Sequence, residues 1–209
     1  YRIASINEVH HRVKNNLQTI ISLVGLEAAQ TGDAEVKSFA KTIISRICSI
    51  SVTYDLLAHT GTDSVNLKTM LNRVVEGSLN NCQMGNLKIY ANVDGDDLDL
   101  TANMASTVAL IVNELIQNSL KYAFGSRDVG TIHLSIEKGE ECSWITVQDD
   151  GCGFDEKAVR KPGSGLGLKL VDSLVKSSLK GEIHVSSSSQ GTQTRFSFRN
   201  GPRKSCAAE

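Results

Sequence analysis

The sequence predicts an α+β protein, in which an N-terminal hairpin of two helices is followed by an α/β two-layer sandwich. Three observations point there. Apolar residues recur at helical spacing through the first 60 positions. Strand and helix patterns alternate from residue 65 onward, and four short motifs rich in glycine and polar side chains fall in order between Asn113 and Thr192.

From Ile6 the apolar set Ile6, Val9, Val13, Leu17, Ile20 and Val24 advances in steps of three and four, one stripe on a first helix. Gln30-Thr31-Gly32-Asp33 breaks the pattern, offering a glycine to end that helix and an aspartate to cap the next. Val36, Phe39, Ile43, Ile47, Ile50, Tyr54 and Leu57 then repeat at heptad-like spacing along a second helix. Two helices of this size hold too little core to stand alone. A narrow seam suits a four-helix bundle built from two copies, so a homodimer is expected. The polar run from His59 to Ser64 reads as the linker, which sets the division at 1–62 for the hairpin and 63–200 for the second domain, with 201–209 as a tail.

In the second domain the patterns predict helices over 67–79, 102–122 and 166–178. Strands are predicted over 87–93, 131–137, 144–148, 182–187 and 192–198, in a mostly antiparallel sheet. With 40% hydrophobic residues in 209, one such domain and a small helical unit are what the chain can build. A net charge of -1 gives no global attraction to nucleic acid or to an anionic membrane, and neither is an expected partner. No apolar run approaches the length that crosses a bilayer. The cysteines (Cys48, Cys82, Cys142, Cys152, Cys206) form no Cys-x-x-Cys pair, which argues against zinc or a disulfide framework and for a reduced, cytoplasmic setting. Starting at Tyr1 inside a helical pattern, the chain reads as a fragment.

Four motifs carry the chemistry. Along the helix over 102–122, Glu114, Asn118 and Lys121 share one side, while Met104, Val108, Ile111, Val112, Leu115 and Ile116 face inward. An amide oxygen on Asn118 can sit on Mg²⁺, Lys121 can meet phosphate, and Glu114 can orient a metal-bound water or assist proton movement. Taken alone, the same residues also describe a solvated helix face. Asp149 ends a strand before Gly151 and Gly153, so its carboxylate can accept from an exocyclic amine; Asp-Asp-Gly is equally an ordinary turn signal. Gly163, Gly165 and Gly167 lead into an apolar helix beginning near Leu166 and Leu168, presenting backbone N–H groups to an anion. No Gly-Lys-Ser/Thr follows, so this is not a Walker loop. Residues 155–162, with Lys157, Arg160 and Lys161, form either a lid over phosphates or a surface loop. Gly191-Thr192 closes the series.

Histidines supply a second centre. At about 100° per residue, His11 lies roughly 160° from the middle of the apolar seam and His10 about 60° from it, so only His11 projects squarely to solvent. Glu8, Asn15 and Gln18 share the face of His11.

The order Asn113-Glu114-x-x-x-Asn118, Asp149-x-Gly151-x-Gly153, Gly163-x-Gly165-Leu-Gly167-Leu and Gly191-Thr192 resembles the nucleotide boxes of the GHKL ATPases, over roughly residues 65 to 198. That superfamily holds histidine kinases, Hsp90, DNA gyrase and MutL. The resemblance implies a Bergerat-type sandwich that binds ATP and Mg²⁺, with Asn118 as metal ligand, Asp149 as adenine reader and Gly151, Gly153, Gly163, Gly165, Gly167, Leu168 and Thr192 shaping the phosphate and lid contacts. Glu8-Val-His-His-Arg-Val-Lys-Asn in turn resembles the phosphoacceptor box of sensor histidine kinases of the HWE-related branch, the second HisKA-type dimerisation and phosphoacceptor family.

By that resemblance the expected function is an ATP-dependent protein-histidine kinase core, which phosphorylates His11 and passes the phosphoryl group to an aspartate on a response-regulator receiver domain. In the commoner box an acidic residue follows the acceptor; here it is Arg12. Glu8, one turn back, is the expected substitute that holds the imidazole in its nucleophilic tautomer, Arg12 or Lys14 would meet phosphate, and Asn15 would position water for dephosphorylation. The rival is a GHKL ATPase switch that turns over ATP without a phosphohistidine.

Overall fold

The computed structural model describes residues 2–80, 87–125, 127–154 and 166–200. Helices α1 (Arg2–Gln30) and α2 (Ala34–Thr60) form an antiparallel hairpin. Asp33 caps α2, its carboxylate accepting from the backbone N–H of Glu35 at 2.8 Å and of Val36 at 3.4 Å. Gly32 does not take the left-handed conformation, so α1 ends without the glycine cap expected of it. Gly61 does take it, with φ 68°, and its N–H closes α2 onto Leu57 O at 3.0 Å. A Cβ there would also stand 3.2 Å from the Asn7 amide of α1. The connection is therefore shorter than the sequence implied: α2 continues through Thr60, and a strand starts at Ser64.

Within the hairpin, His10 is buried with its ring 6.0 Å from that of Tyr54, and Lys14 reaches Asp55. Val13, Leu17 and Val24 are half-buried, whereas Val9, Ile20 and Leu23 on α1 and Val36 and Phe39 on α2 are exposed in the single chain. The apolar seam is thus wider than one partner helix covers.

The rest is a layered α/β unit. Strands β1 (Ser64–Asn66) and β3 (Asp99–Thr101) pair antiparallel and frame α3 (Leu67–Asn80) and α4 (Ala102–Tyr122). The main sheet has the order β2-β4-β5-β7-β6, from β2 (Lys88–Gly95), β4 (Val129–Glu137), β5 (Cys142–Asp149), β6 (Ile183–Ser188) and β7 (Gly191–Arg199). The β2/β4 pair is parallel and the others antiparallel. Period-2 alternation turns Ile132, Leu134, Ile136, Ile145, Val147, Phe196 and Phe198 to one face, where α3, α4 and α5 (Leu166–Ser177) cover them. β1 and β3 escaped the sequence reading because three residues are too few to show a period.

α2 joins this core. Leu56 and Leu57 belong to the same apolar cluster as Met70, Leu71 and Val108, and the buried Thr53 hydroxyl donates to Met70 Sδ at 3.5 Å. Arg73 on α3 adds a polar tie, donating to Asp55 at 2.9 Å. Burial alone would push the Asp55 carboxyl up, but the hydrogen bond from Lys14 and the charges of Lys14, His59 and Arg73 together hold it below its usual range.

A depressed carboxylate contributes stability that is present above its unfolded pKa and is lost as pH falls through the folded one. Asp55→Asn is therefore expected to cost about 1 kcal/mol at pH 7. That deficit should shrink towards zero as pH drops below the ordinary aspartate range, near 3.9. Urea midpoints of both proteins across that range check it; a deficit independent of pH contradicts the charge assignment.

Candidate functional site

The site is built where α4, the end of β5, the start of β7 and the start of α5 converge. Asp149 is the last residue of β5 and is 4% exposed. Its Oδ1 accepts from the backbone N–H of Gly151 at 3.0 Å and of Thr192 at 3.1 Å, and its Oδ2 accepts the Ser119 hydroxyl at 2.7 Å. A carboxylate offers about four lone-pair positions, so one remains for an outside donor such as an exocyclic amine. Thr192 Oγ1 lies 2.9 Å from Ser187 Oγ, and that hydroxyl accepts from Phe154 N–H at 2.9 Å. Asp150 plays another part: it accepts from Thr131 N–H at 2.8 Å and faces Arg127 at 3.4 Å, bracing the strand end.

The glycines here answer to crowding. A Cβ on Gly151 would stand 2.4 Å from Ala123 Cβ and 2.5 Å from Ala123 O, at the point where Cys152 N–H bonds that carbonyl at 2.8 Å. Gly153 has φ 65° and a backbone carbonyl, Ser188 O, 1.9 Å from where its Cβ would go. Gly167, in the first turn of α5, lies over α4: its Cβ would come within 3.2 Å of Glu114 Oε2 and 3.4 Å of Asn118 Oδ1. Gly163 and Gly165 lie outside the described residues.

Glu114, Asn118, Lys121, Asp149, Gly153, Gly167, Leu168 and Thr192 all line one cavity of about 670 Å³. A wider groove of about 1200 Å³ between Asn66, Asp97 and Lys138 contains none of the motif residues, so the chemistry belongs to the smaller cavity. Asn118 is half-buried and Lys121 exposed at its mouth. Glu114 departs from the open helix face that the sequence implied. It is 5% exposed, and both of its oxygens are taken by Arg46 of α2, Oε1 by Nε and Oε2 by Nη2, each at 2.7 Å. The hydrogen bond to Glu114 raises the Arg46 guanidinium above its ordinary value, against the lowering effect of burial. One residue earlier, Ser45 donates to Asn113 Oδ1 at 3.1 Å, an oxygen that also accepts from Ser78 at 3.1 Å. Phe39 and Thr42 extend the same wall.

Ser119 and Arg46 were not among the expected site residues. Ser119 sits beside Asn118 on the polar side of α4 and was findable there. Arg46 carries no local signal, because it reaches the site from α2, 68 residues away in the chain.

The histidine pair divides as the helix geometry implies: His11 is exposed, and His10 is buried with neither ring nitrogen hydrogen-bonded. Glu8 differs from expectation. Its carboxylate accepts from Arg12 Nη2 at 2.6 Å and Nε at 3.1 Å, the i,i+4 geometry that competes with a contact to His11. Lys14 is likewise held by Asp55.

Comparison with known proteins gives a consistent picture. Residues 8–82 match a family described as histidine kinase, and residues 103–202 match the histidine kinase-, DNA gyrase B- and HSP90-like ATPases. The chain is 31% identical over 181 residues to the sensor histidine kinase PdtaS of Mycobacterium tuberculosis, covering 86% of this chain and 36% of that protein. It is 30% identical over 209 residues to blue-light-activated histidine kinase 2 of Erythrobacter litoralis, 97% of this chain and 59% of that one. The chain therefore spans about one third to three fifths of the length of these relatives. Among solved structures, the blue-light activated histidine kinase EL346 of Erythrobacter litoralis superposes with a TM-score of 0.70 at 26% identity, over 93% of this chain and 58% of the other. The separate kinase domain of EL346 gives 0.67 at 23%, over 94% and 93%.

Gly151→Ala should drive Ala123 and the Asp149 turn apart, costing about 2 kcal/mol from overpacking and lowering the melting temperature by roughly 4–8 °C. Thermal melts followed by circular dichroism check this, and a melt within about a degree of the parent contradicts the tight approach drawn here.

Proposed function

Because the chain belongs to the histidine kinases, we propose that it is the ATP-dependent catalytic core of one, phosphorylating its own His11 and handing the phosphoryl group to a response-regulator aspartate. The observation that carries this reading is the convergence of Asn118, Lys121, Asp149, Gly167 and Thr192, far apart in sequence, on one cavity in a chain that also presents His11 to solvent. The division into a hairpin (1–62) and a nucleotide domain (63–200) is part of the proposal: the first accepts the phosphoryl group and the second delivers it.

Asp149 reads the adenine amine through its spare lone pair, with Ser119, Gly151 and Thr192 holding the carboxylate in place. Lys121, at the mouth of the cavity, meets the phosphates. Asn118, half-buried on the cavity wall, would hold Mg²⁺ through its single amide oxygen, the remaining ligands being phosphate and water. When bound, that ion neutralises phosphate charge and fixes its orientation. His11 Nε2 attacks the γ-phosphorus, forming an N–P bond as the bond to the β,γ-bridging oxygen breaks and ADP leaves. The Nδ1 proton is then lost to a base, for which Glu114 is the buried carboxylate on the nucleotide side. Glu8 serves instead to hold Arg12. Positioning supplies most of the catalysis, as in phosphoryl transfer generally.

The exposed strip of Val9, Ile20, Leu23 and Val36 supports pairing of two hairpins into a four-helix homodimer. Among the described residues no helix is long and apolar enough to cross a membrane, and a cytoplasmic site of action is part of the reading.

The test is incubation of the chain with Mg²⁺ and γ-labelled ATP beside His11→Ala and Asn118→Ala. Acid-labile, alkali-stable label should appear on the parent and fall at least 100-fold in both variants, an effect of about 2.7 kcal/mol or more. ATP hydrolysis without label, indifferent to His11→Ala, would instead identify a conformational ATPase.

A further inference from the structure

The ion pair between Arg46 and Glu114 lies in the wrong place for a purely structural contact. Glu114 belongs to the motif helix, lines the nucleotide cavity and stands within 3.2 Å of where a Cβ on Gly167 would be. Arg46 comes from the other domain, on the hairpin that carries the acceptor histidine. The contact is a two-residue clasp, Ser45 on Asn113 and Arg46 on Glu114, consecutive residues of α2 against consecutive residues of α4. Phe39 and Thr42 continue the stripe at helical spacing along the same cavity wall.

Two consequences follow from this geometry. First, a carboxylate whose two oxygens both accept from a guanidinium fork is held facing that fork, turned from an imidazole N–H and with little freedom to swing towards a metal-bound water. Second, the clasp sets the domains at the wrong height for transfer. The pairing of Lys14 with Asp55 and the approach of Gly25 to Ile44 put Arg46 level with residue 23 of α1. His11 is twelve residues from there, roughly 18 Å along the hairpin at 1.5 Å per residue. Pairing two hairpins about an axis along the bundle would leave that offset unchanged. The nucleotide site as clasped therefore faces the loop end of the hairpin, away from the histidine.

We propose that Arg46 is an inhibitory clasp: it holds α2 against the nucleotide cavity in a resting arrangement, keeps Glu114 from the reaction, and lets go before His11 is phosphorylated. The inference rests on the histidine-kinase reading and adds to it the residue that restrains it. The interface is built to open. Asn113 Nδ2 is buried there without a partner, and the cost of burying the charges of Arg46 and Glu114 offsets most of what their attraction returns. Ser45 and Arg46 lie more than a turn before Leu56 and Leu57, which anchor α2 in the core, so this part of α2 can leave α4 while that anchor holds.

The experiment compares the parent chain with Arg46→Gln, Arg46→Lys and Ser45→Ala. Three quantities are read: the initial rate of His11 labelling at saturating Mg·ATP, the affinity for Mg·ADP, and amide hydrogen exchange over residues 39–49 and 110–118. Arg46→Gln is expected to raise the labelling rate at least threefold, with Mg·ADP affinity within twofold of the parent and faster exchange in both segments. Arg46→Lys should be intermediate, since an ammonium cannot form the fork, and Ser45→Ala should show a smaller rise. A labelling rate that is unchanged or lower overturns the proposal; if affinity falls with it, Arg46 is a nucleotide ligand. Should Arg46→Gln fail to fold, the Lys and Ser45 variants decide by the same rates. Exchange needs no catalysis, so absence of label on the parent itself would count against the kinase reading while the exchange of the variants still judges the clasp.

Discussion

The arrangement of this chain depends on one helix being buried on two sides. α4 lays Val108, Ile111, Val112 and Leu115 into the apolar core, while Asn113 and Glu114, both nearly inaccessible, face α2. A helix buried on two sides cannot leave polar side chains there unanswered, because an unpaired buried carboxylate costs several kcal/mol, roughly 3–5 when its partner is removed. Ser45, Ser78 and Arg46 supply the answers. The polar requirement of α4 thus selects the face of α2 that packs against it, and the height at which it packs.

The second constraint is at Asp149. Three donors from three segments meet on its carboxylate: a hydroxyl from α4, the N–H of the Gly151 turn and the N–H of Thr192 on β7. One side chain therefore registers helix, turn and strand against each other, and the cavity between them takes its shape from that convergence. Among the described residues the site is framed by backbone N–H groups and close-packed glycines, and the Asp149 end of it takes its geometry from the meeting of β5 and β7.

Much of this was legible in the sequence. The bounds of α4 follow directly from its period and from the residues at its ends, and all five strands of the main sheet show alternation long enough to read. Asp149, Gly167 and Thr192 converge because each sits at an element end, and those ends meet the side of α4 that carries Asn118 and Lys121. What escaped had physical reasons. Three-residue strands carry no period. Gly61 sits in a polar run that reads as a linker yet is the left-handed end of α2, while Gly32 after α1, placed where a cap is common, is not in that conformation. On α4, helical spacing put Glu114 with Asn118 and Lys121, but a helical wheel records angle and not what lies opposite, and here the opposite surface is Arg46 of another unit. Glu8 shows the same limit at short range: an i,i+4 arginine competes for its carboxylate, and its fork makes two hydrogen bonds.

The central claim is that nucleotide bound in the Asp149 cavity phosphorylates the exposed histidine and leaves its buried neighbour untouched. The most direct measurement is ³¹P NMR with peptide mapping of the protein after reaction with Mg·ATP at alkaline pH. The account requires a single phosphohistidine, substituted at Nε2, in the peptide that carries His10 and His11, retained in His10→Ala and absent in His11→Ala. Phosphate on His10, on a hydroxyl residue, or on no residue while ATP is consumed would contradict it.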